Sequence, residues 1–232
     1  MFKRHISLFI VVTLILSLLV GCGSQPNDGK QKTDGGDEGI EIVDMAGRQV
    51  TIPSDVEKVF SMGPVGTIIL YSLDPDKMVG WNYDLKEGEK EYILEEYHDL
   101  PNLGGVSNES VNMEEILKTA PDVLISMNTI DETLKSEMEE MQEQINIPIV
   151  ILDDDINGFG EAYRILGKIL NEEERAEELA GYCDEVLKEA EENKDKIEEA
   201  INIYYAQGPN GLQTEPAGSW HGEVIGIVGG EN

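Results

Sequence analysis

The chain has 232 residues, 17 of them Lys or Arg and 47 Asp or Glu, for a net charge of -30. Hydrophobic residues make up 40% and charged residues 28%, a globular balance, and the length suffices for one large domain or two modest lobes. So negative a chain excludes nucleic acid, whose phosphates need basic side chains, and keeps the body itself off an anionic lipid surface.

The first segment stands apart from that body. Lys3, Arg4 and His5 make a basic start, and 6–20 is apolar except for Ser7, Thr13 and Ser17. The run is shorter than the ~20 residues of a membrane span and reads as a signal peptide over 1–21. Its end, Leu19-Val20-Gly21-Cys22, resembles the lipobox of bacterial lipoproteins. That resemblance implies cleavage before Cys22 and a diacylglyceryl thioether on its sulfur, a durable anchor once two or more acyl chains are present. Residues 22–39 are Gly, Asp, Lys and Gln in the main, the composition of a flexible tether. With Cys22 lipidated, Cys183 has no disulfide partner; it falls on the apolar stripe of a helix and reads as a small buried hydrophobe.

An N-terminal α/β lobe is expected over 40–156. It opens with a hairpin, 40–44 and 48–52, turning at Ala46-Gly47. Strands follow at 58–62, 78–81, 122–127 and 147–152, alternating with helices at 64–73, 113–119 and 131–144. Pro64 suits the first turn of its helix, and Asn112 is placed to cap the one at 113–119. Such alternation predicts a mainly parallel sheet. Backbone helices are expected over 157–199: one to about residue 170, then one from 172 to 199 that would span roughly 42 Å. Its apolar repeat is too brief for a coiled coil, so it reads as a rigid spacer between two lobes. Residues 200–232 read as the start of a second α/β lobe, with a strand at 201–206 and a helix at 219–228. The expected fold is therefore α/β, two lobes joined by a long helix, with the second lobe incomplete at Asn232.

This order resembles the helical-backbone (class III) substrate-binding lipoproteins of ABC importers, the receptors for iron-siderophores, haem and cobalamin. The stretches that carry the resemblance are EIVDMAGRQVTIP (41–53), EKVFSMGP (57–64), DKMVGWN (76–82), NMEEILKTAPDVLI (112–125) and GSWHGEVIGIVGGEN (218–232). It implies an extracytoplasmic, lipid-anchored, monomeric receptor that captures a metal chelate, needs no cofactor and hands its ligand to a permease and its ATPase. It also implies that Glu114, in the first turn of its helix, docks on Arg residues of the permease. Ligand sites in α/β sheets lie at the carboxyl ends of strands. The candidates there are Met62, Gly63, Pro64, Trp81, Tyr83, Gly105, Val106, Met127 and Asn128, with Tyr205, Gln207, Trp220 and His221 in the second lobe. Aromatic and Met side chains suit a large, partly apolar chelate. Trp81 and Tyr83 stand out, because a core alone explains both poorly.

Other chemistries fare worse. Asp153-Asp154-Asp155-Ile156-Asn157-Gly158 matches the first half of an EF-hand, but the twelfth position is Arg164 where a bidentate Glu is needed, so the run reads as a strand end and helix cap. Only His98 and His221 lie outside the signal segment, too few and too far apart for a bare-metal site. No G-x-S-x-G elbow or phosphate-binding Gly-Lys motif occurs, so the chain is not read as an enzyme. Gly218, Gly222 and Gly226 are expected to permit close helix packing. The competing functions are a receptor that presents ligand to a sensor kinase and a lipid-anchored hydrolase.

Overall fold

The computed structural model describes residues 39–105 and 113–232. The expected signal peptide, Cys22 and tether lie outside the described residues, as do Val106 and the Asn112 cap. Everything described belongs to a single unit, 37–232.

Strands β1 (Ile40–Val43) and β2 (Gln49–Ile52) form the expected antiparallel hairpin, with Ile40 opposite Ile52. Ile42, Val50 and Ile52 turn inward. At the turn, the buried Asp44 carboxylate accepts from the Arg48 backbone N–H and Nε, each at 2.9 Å. It also accepts the Ile151 N–H at 3.1 Å, while Arg48 Nη2 donates to the Ile149 carbonyl at 2.6 Å. One buried ion pair thus clips the hairpin to the sheet.

β3 (Val59–Ser61) leads into α1 (Pro64–Leu73), whose Pro sits at the helix start where no N–H is missed. A short α2 (Glu87–Lys90) and α3 (Met113–Thr119) follow, then β4 (Val123–Met127), α4 (Glu132–Ile145) and β5 (Ile149–Leu152). β3, β4 and β5 are parallel, with β4 central. Because side chains alternate across a strand, the sheet feeds two cores. Val59, Val123, Ile125, Val150 and Leu152 face α1 and the helices after residue 158, while Phe60, Leu124, Ile149 and Ile151 face α3 and α4. The parallel sheet is the one that the alternation of strands and helices predicts, here covered by helices on both faces.

The expected strand at 78–81 is absent. Met78 bridges Val59, but Trp81 bridges Asn102, so the segment changes neighbours before a ladder can form. Past β5, α5 (Phe159–Leu170) and α6 (Glu173–Lys194) lie against each other, and Gly167 approaches Ala176 so closely that a Cβ would collide. On their open side, Arg164 donates to Glu177 at 2.8 Å and to Asp184 at 2.7 Å. α6 stops at Lys194 rather than 199, a length of about 33 Å. Its end tightens into short-range turns, Lys196 N–H to the Asn193 carbonyl and Ile197 N–H to Lys194, in a stretch where Asn and Asp are poor helix formers. Cys183 is half-buried against the core, and burial pushes its thiol up, as suits an inert hydrophobe.

The expected strand at 201–206 is likewise not formed. Asn202 makes a single bridge to Glu231, and the hairpin pairing is shifted onwards to β6 (Ala206–Gln207) and β7 (Gln213–Thr214). The last helix, α7 (Trp220–Ile227), is capped by the Ser219 hydroxyl, which accepts the Gly222 N–H at 3.1 Å. Of the three spaced glycines only Gly222 is closely packed, under the Pro216 carbonyl. A Cβ on Gly218 or Gly226 would meet nothing, so those two are not packing glycines.

Candidate functional site

In a parallel sheet all carboxyl ends lie on one side, and here the loops after β3, β4 and β5 gather there. A buried polar network fixes them. The Thr67 hydroxyl donates to Asn82 Oδ1 at 2.6 Å, and Asn82 Nδ2 donates to the carbonyls of Ser61 at 2.9 Å and Gly104 at 3.0 Å. Ser61 Oγ closes on the Gly63 carbonyl at 3.0 Å. Gly66 is needed at this point, since a Cβ would strike the Ser61 hydroxyl. The loop after β4 is tied to the next by Thr129 Oγ1 donating to Asp154 Oδ1 at 2.9 Å and by the Asn128 N–H to the Leu152 carbonyl at 3.1 Å.

Two apolar cavities open on this side. The first, about 320 Å³, is lined by Pro64, Thr67, Tyr71, Trp81, Tyr83 and Tyr92 among others. The core accounts for Trp81 after all: it is 6% exposed, its indole N–H donates to the Tyr97 carbonyl at 2.8 Å, and its ring lies 5.7 Å from Tyr71. It forms a wall of the cavity from within the core, while Tyr83, 44% exposed, forms the lip. The second cavity, about 370 Å³, is lined by Ile156 from the loop after β5, by Phe159 at the start of α5, and by Tyr205, Trp220, His221, Val224 and Ile225. His221 stacks on Tyr205 at 5.8 Å and meets the edge of Trp220 at 4.9 Å. Trp220 Nε1 donates to the Asp154 carbonyl at 2.8 Å, and Asn157 Nδ2 reaches Glu223 at 3.3 Å. These bonds latch the final helix to the end of β5.

The remaining candidates divide by burial. Met62 and Met127 are wholly within the core, so only their backbones reach the strand ends. Gly63 caps α1 with its backbone, Pro64 is exposed, and Gly105 is buried against the Met62 carbonyl. Asn128 is half-buried with its amide on Ser126 Oγ, and Gln207 donates to Glu215 at 3.0 Å. Glu114 is 81% exposed in the first turn of α3, with Lys118 Nζ at 3.1 Å. The sequence reading did not single out Thr67, Asn82, Tyr71, Tyr92 or Phe159. The adjacency of Asn82 to Trp81 was a usable signal for one of them.

Asp153 and Asp155 act as the EF-hand comparison foretold, ending a strand and capping a turn: Asp155 Oδ1 accepts the Asn157 N–H at 2.8 Å. Among the described residues no group of three or more His, Cys, Asp or Glu is placed to hold a metal ion. None of the described helices is long and apolar enough to cross a membrane. Glu223 is raised above the ordinary carboxylate range by burial and then by Asp155, Asp153 and Asp154.

Residues 64–232 match the family described as periplasmic binding protein. YvrC of Bacillus subtilis (strain 168), an uncharacterized ABC transporter substrate-binding lipoprotein, is 22% identical over 243 residues, covering 99% of this chain and 73% of its own. An ABC transporter solute binding protein from Sulfurospirillum deleyianum DSM 6946 superposes with TM-score 0.74 at 28% identity, over 82% of this chain and 61% of that one. S. aureus IsdE, solved with haem, gives TM-score 0.59 at 24% identity over 77% and 65%, a likeness of fold alone. The chain thus spans less than two thirds of either solved protein.

Proposed function

The chain belongs to the periplasmic binding protein family, and on that premise we propose that it is an extracytoplasmic receptor that captures an iron complex or related metal chelate and delivers it to an ABC permease and its ATPase. The observation that carries this reading is the pair of aromatic cavities at the carboxyl ends of one parallel sheet. Each is at the small end of the range for ligand pockets, so together they suit a ligand with a broad apolar body. The rings supply contact area, and His221 beside them offers a polar edge. Siderophore, haem and cobalamin all have that character, and the haem of IsdE supports including porphyrins. Capture of this kind needs no chemical step.

In this reading Cys22 carries the lipid and 22–39 is the tether. YvrC, a lipoprotein, supports that assignment. Detergent partitioning and intact mass test it: the wild type should carry acyl chains and Cys22→Ser should not. Glu114 presents an exposed carboxylate from α3, well suited to a reversible, oriented contact with permease Arg residues.

The ligand assignment is tested by titrating the full chain with ferric siderophores, haemin and corrinoids while following melting temperature. A ligand of this class should raise the melting temperature in a concentration-dependent way. No shift with any of the three classes, up to millimolar concentration, removes the metal-chelate assignment.

A further inference from the structure

We propose that the chelate taken up by this cleft is neutral or positively charged, so that anionic chelates are rejected. This rests on the receptor reading above and adds the charge class of its ligand. Among the described residues, neither aromatic cavity is lined by a Lys or an Arg. The nearest cations in sequence to the first cavity, Lys86 and Lys90, are engaged by Glu89 and Glu87.

Carboxylates stand in or beside these linings instead. Glu89 lines the first cavity. No carboxylate lines the second cavity among the described residues, but Asp155 immediately precedes the lining residue Ile156. Glu223 lies one turn from Trp220 on α7, and Glu215 is 3.7 Å from His221 Nδ1. Burial first, and then the charges of Asp155, Asp153 and Asp154, raise Glu223. Among the described residues, a trianionic guest would find these carboxylates nearby and no lining guanidinium or ammonium to replace its lost water, a costly burial. For a cation the same walls are favourable, since carboxylates at the rim and the faces of Tyr205 and Trp220 both attract positive charge.

Three ferric probes of graded charge separate the outcomes: a linear trihydroxamate with a free ammonium, a neutral cyclic trihydroxamate and a tris-catecholate trianion. Affinities are measured by calorimetry on the full chain at low and at physiological ionic strength. The monocation and the neutral chelate should bind at least tenfold more tightly than the trianion, with the gap narrowing as salt is added. Glu223→Gln should reduce the preference for the monocation over the neutral chelate by about fivefold, the value of one charge pair near 4 Å in water. A trianion that binds as well as the neutral probe overturns the inference and leaves the receptor reading standing. Failure of all three probes to bind, or tight binding of haemin with its two propionates, overturns the inference, while the haemin and corrinoid titrations still decide the receptor reading.

Discussion

Asn82 is where the ligand loops are joined, and its removal tests that construction. The side chain is 5% exposed and makes three bonds: one accepted from Thr67 and two donated, to the Ser61 and Gly104 carbonyls. In Asn82→Ala the Thr67 hydroxyl retains an acceptor, the Gly63 carbonyl at 3.1 Å. The two carbonyls lose their donor, at about 1 kcal/mol each, and the missing amide leaves a small void worth about 1 kcal/mol more. The sum, about 3 kcal/mol, corresponds to a fall in melting temperature of about 6–12 °C for a unit of this size. Thr67→Val should cost about 1–2 kcal/mol, because it leaves Asn82 Oδ1 buried without its donor. The double variant should cost less than the sum of the two, since the pair is in direct contact. Thermal unfolding followed by circular dichroism reads all three. A loss below about 2 °C in Asn82→Ala, or strict additivity in the double variant, would refute the claim that this network holds the loops.

Three further substitutions probe other parts of the account. Arg48→Met leaves the Asp44 carboxylate buried and unpaired and should cost about 3–5 kcal/mol in denaturant unfolding, whereas an exposed ion pair would cost at most ~1. Glu223, a carboxylate raised on folding, binds its proton more tightly in the folded state. Its contribution to stability therefore rises as pH falls from neutral toward the ordinary carboxylate range, and Glu223→Gln should remove that part of the pH profile. Glu114→Ala should leave ligand affinity unchanged while lowering uptake and permease association; intact uptake reduces Glu114 to a helix-start residue paired with Lys118.

What the sequence disclosed follows from which forces act locally. The continuous apolar runs of β4 and β5 are legible because strands covered on both faces need apolar side chains at every position. α1 is legible from Pro64, and the 153–158 run from the absence of a twelfth-position carboxylate. The segment at 201–206 misleads because Ile201, Ile203 and Tyr204 have strand-forming side chains, yet a strand exists only where a partner pairs with it, and here the paired residues are Ala206 and Gln207. Helix α6 runs short because its last turns carry Asn193 and Asp195, whose cost is small residue by residue and decisive only when no packing offsets it. In the site, Trp81, Tyr83, Tyr205 and Trp220 were legible by type and position, whereas Tyr71, Tyr92 and Phe159 were not. Thr67 and Asn82 were not, since their bond spans fifteen residues and joins two loops that only the folded sheet brings together.

The central claim is that one ligand occupies both aromatic cavities, and the chain holds a tryptophan at each, Trp81 and Trp220, with no others. Trp81→Phe and Trp220→Phe are therefore single-reporter variants of the two cavities. Titrated with the best-binding chelate, both should lose fluorescence along the same saturation curve, as one molecule covers both walls. Quenching confined to one variant, or two curves with different midpoints, would contradict a single shared cleft.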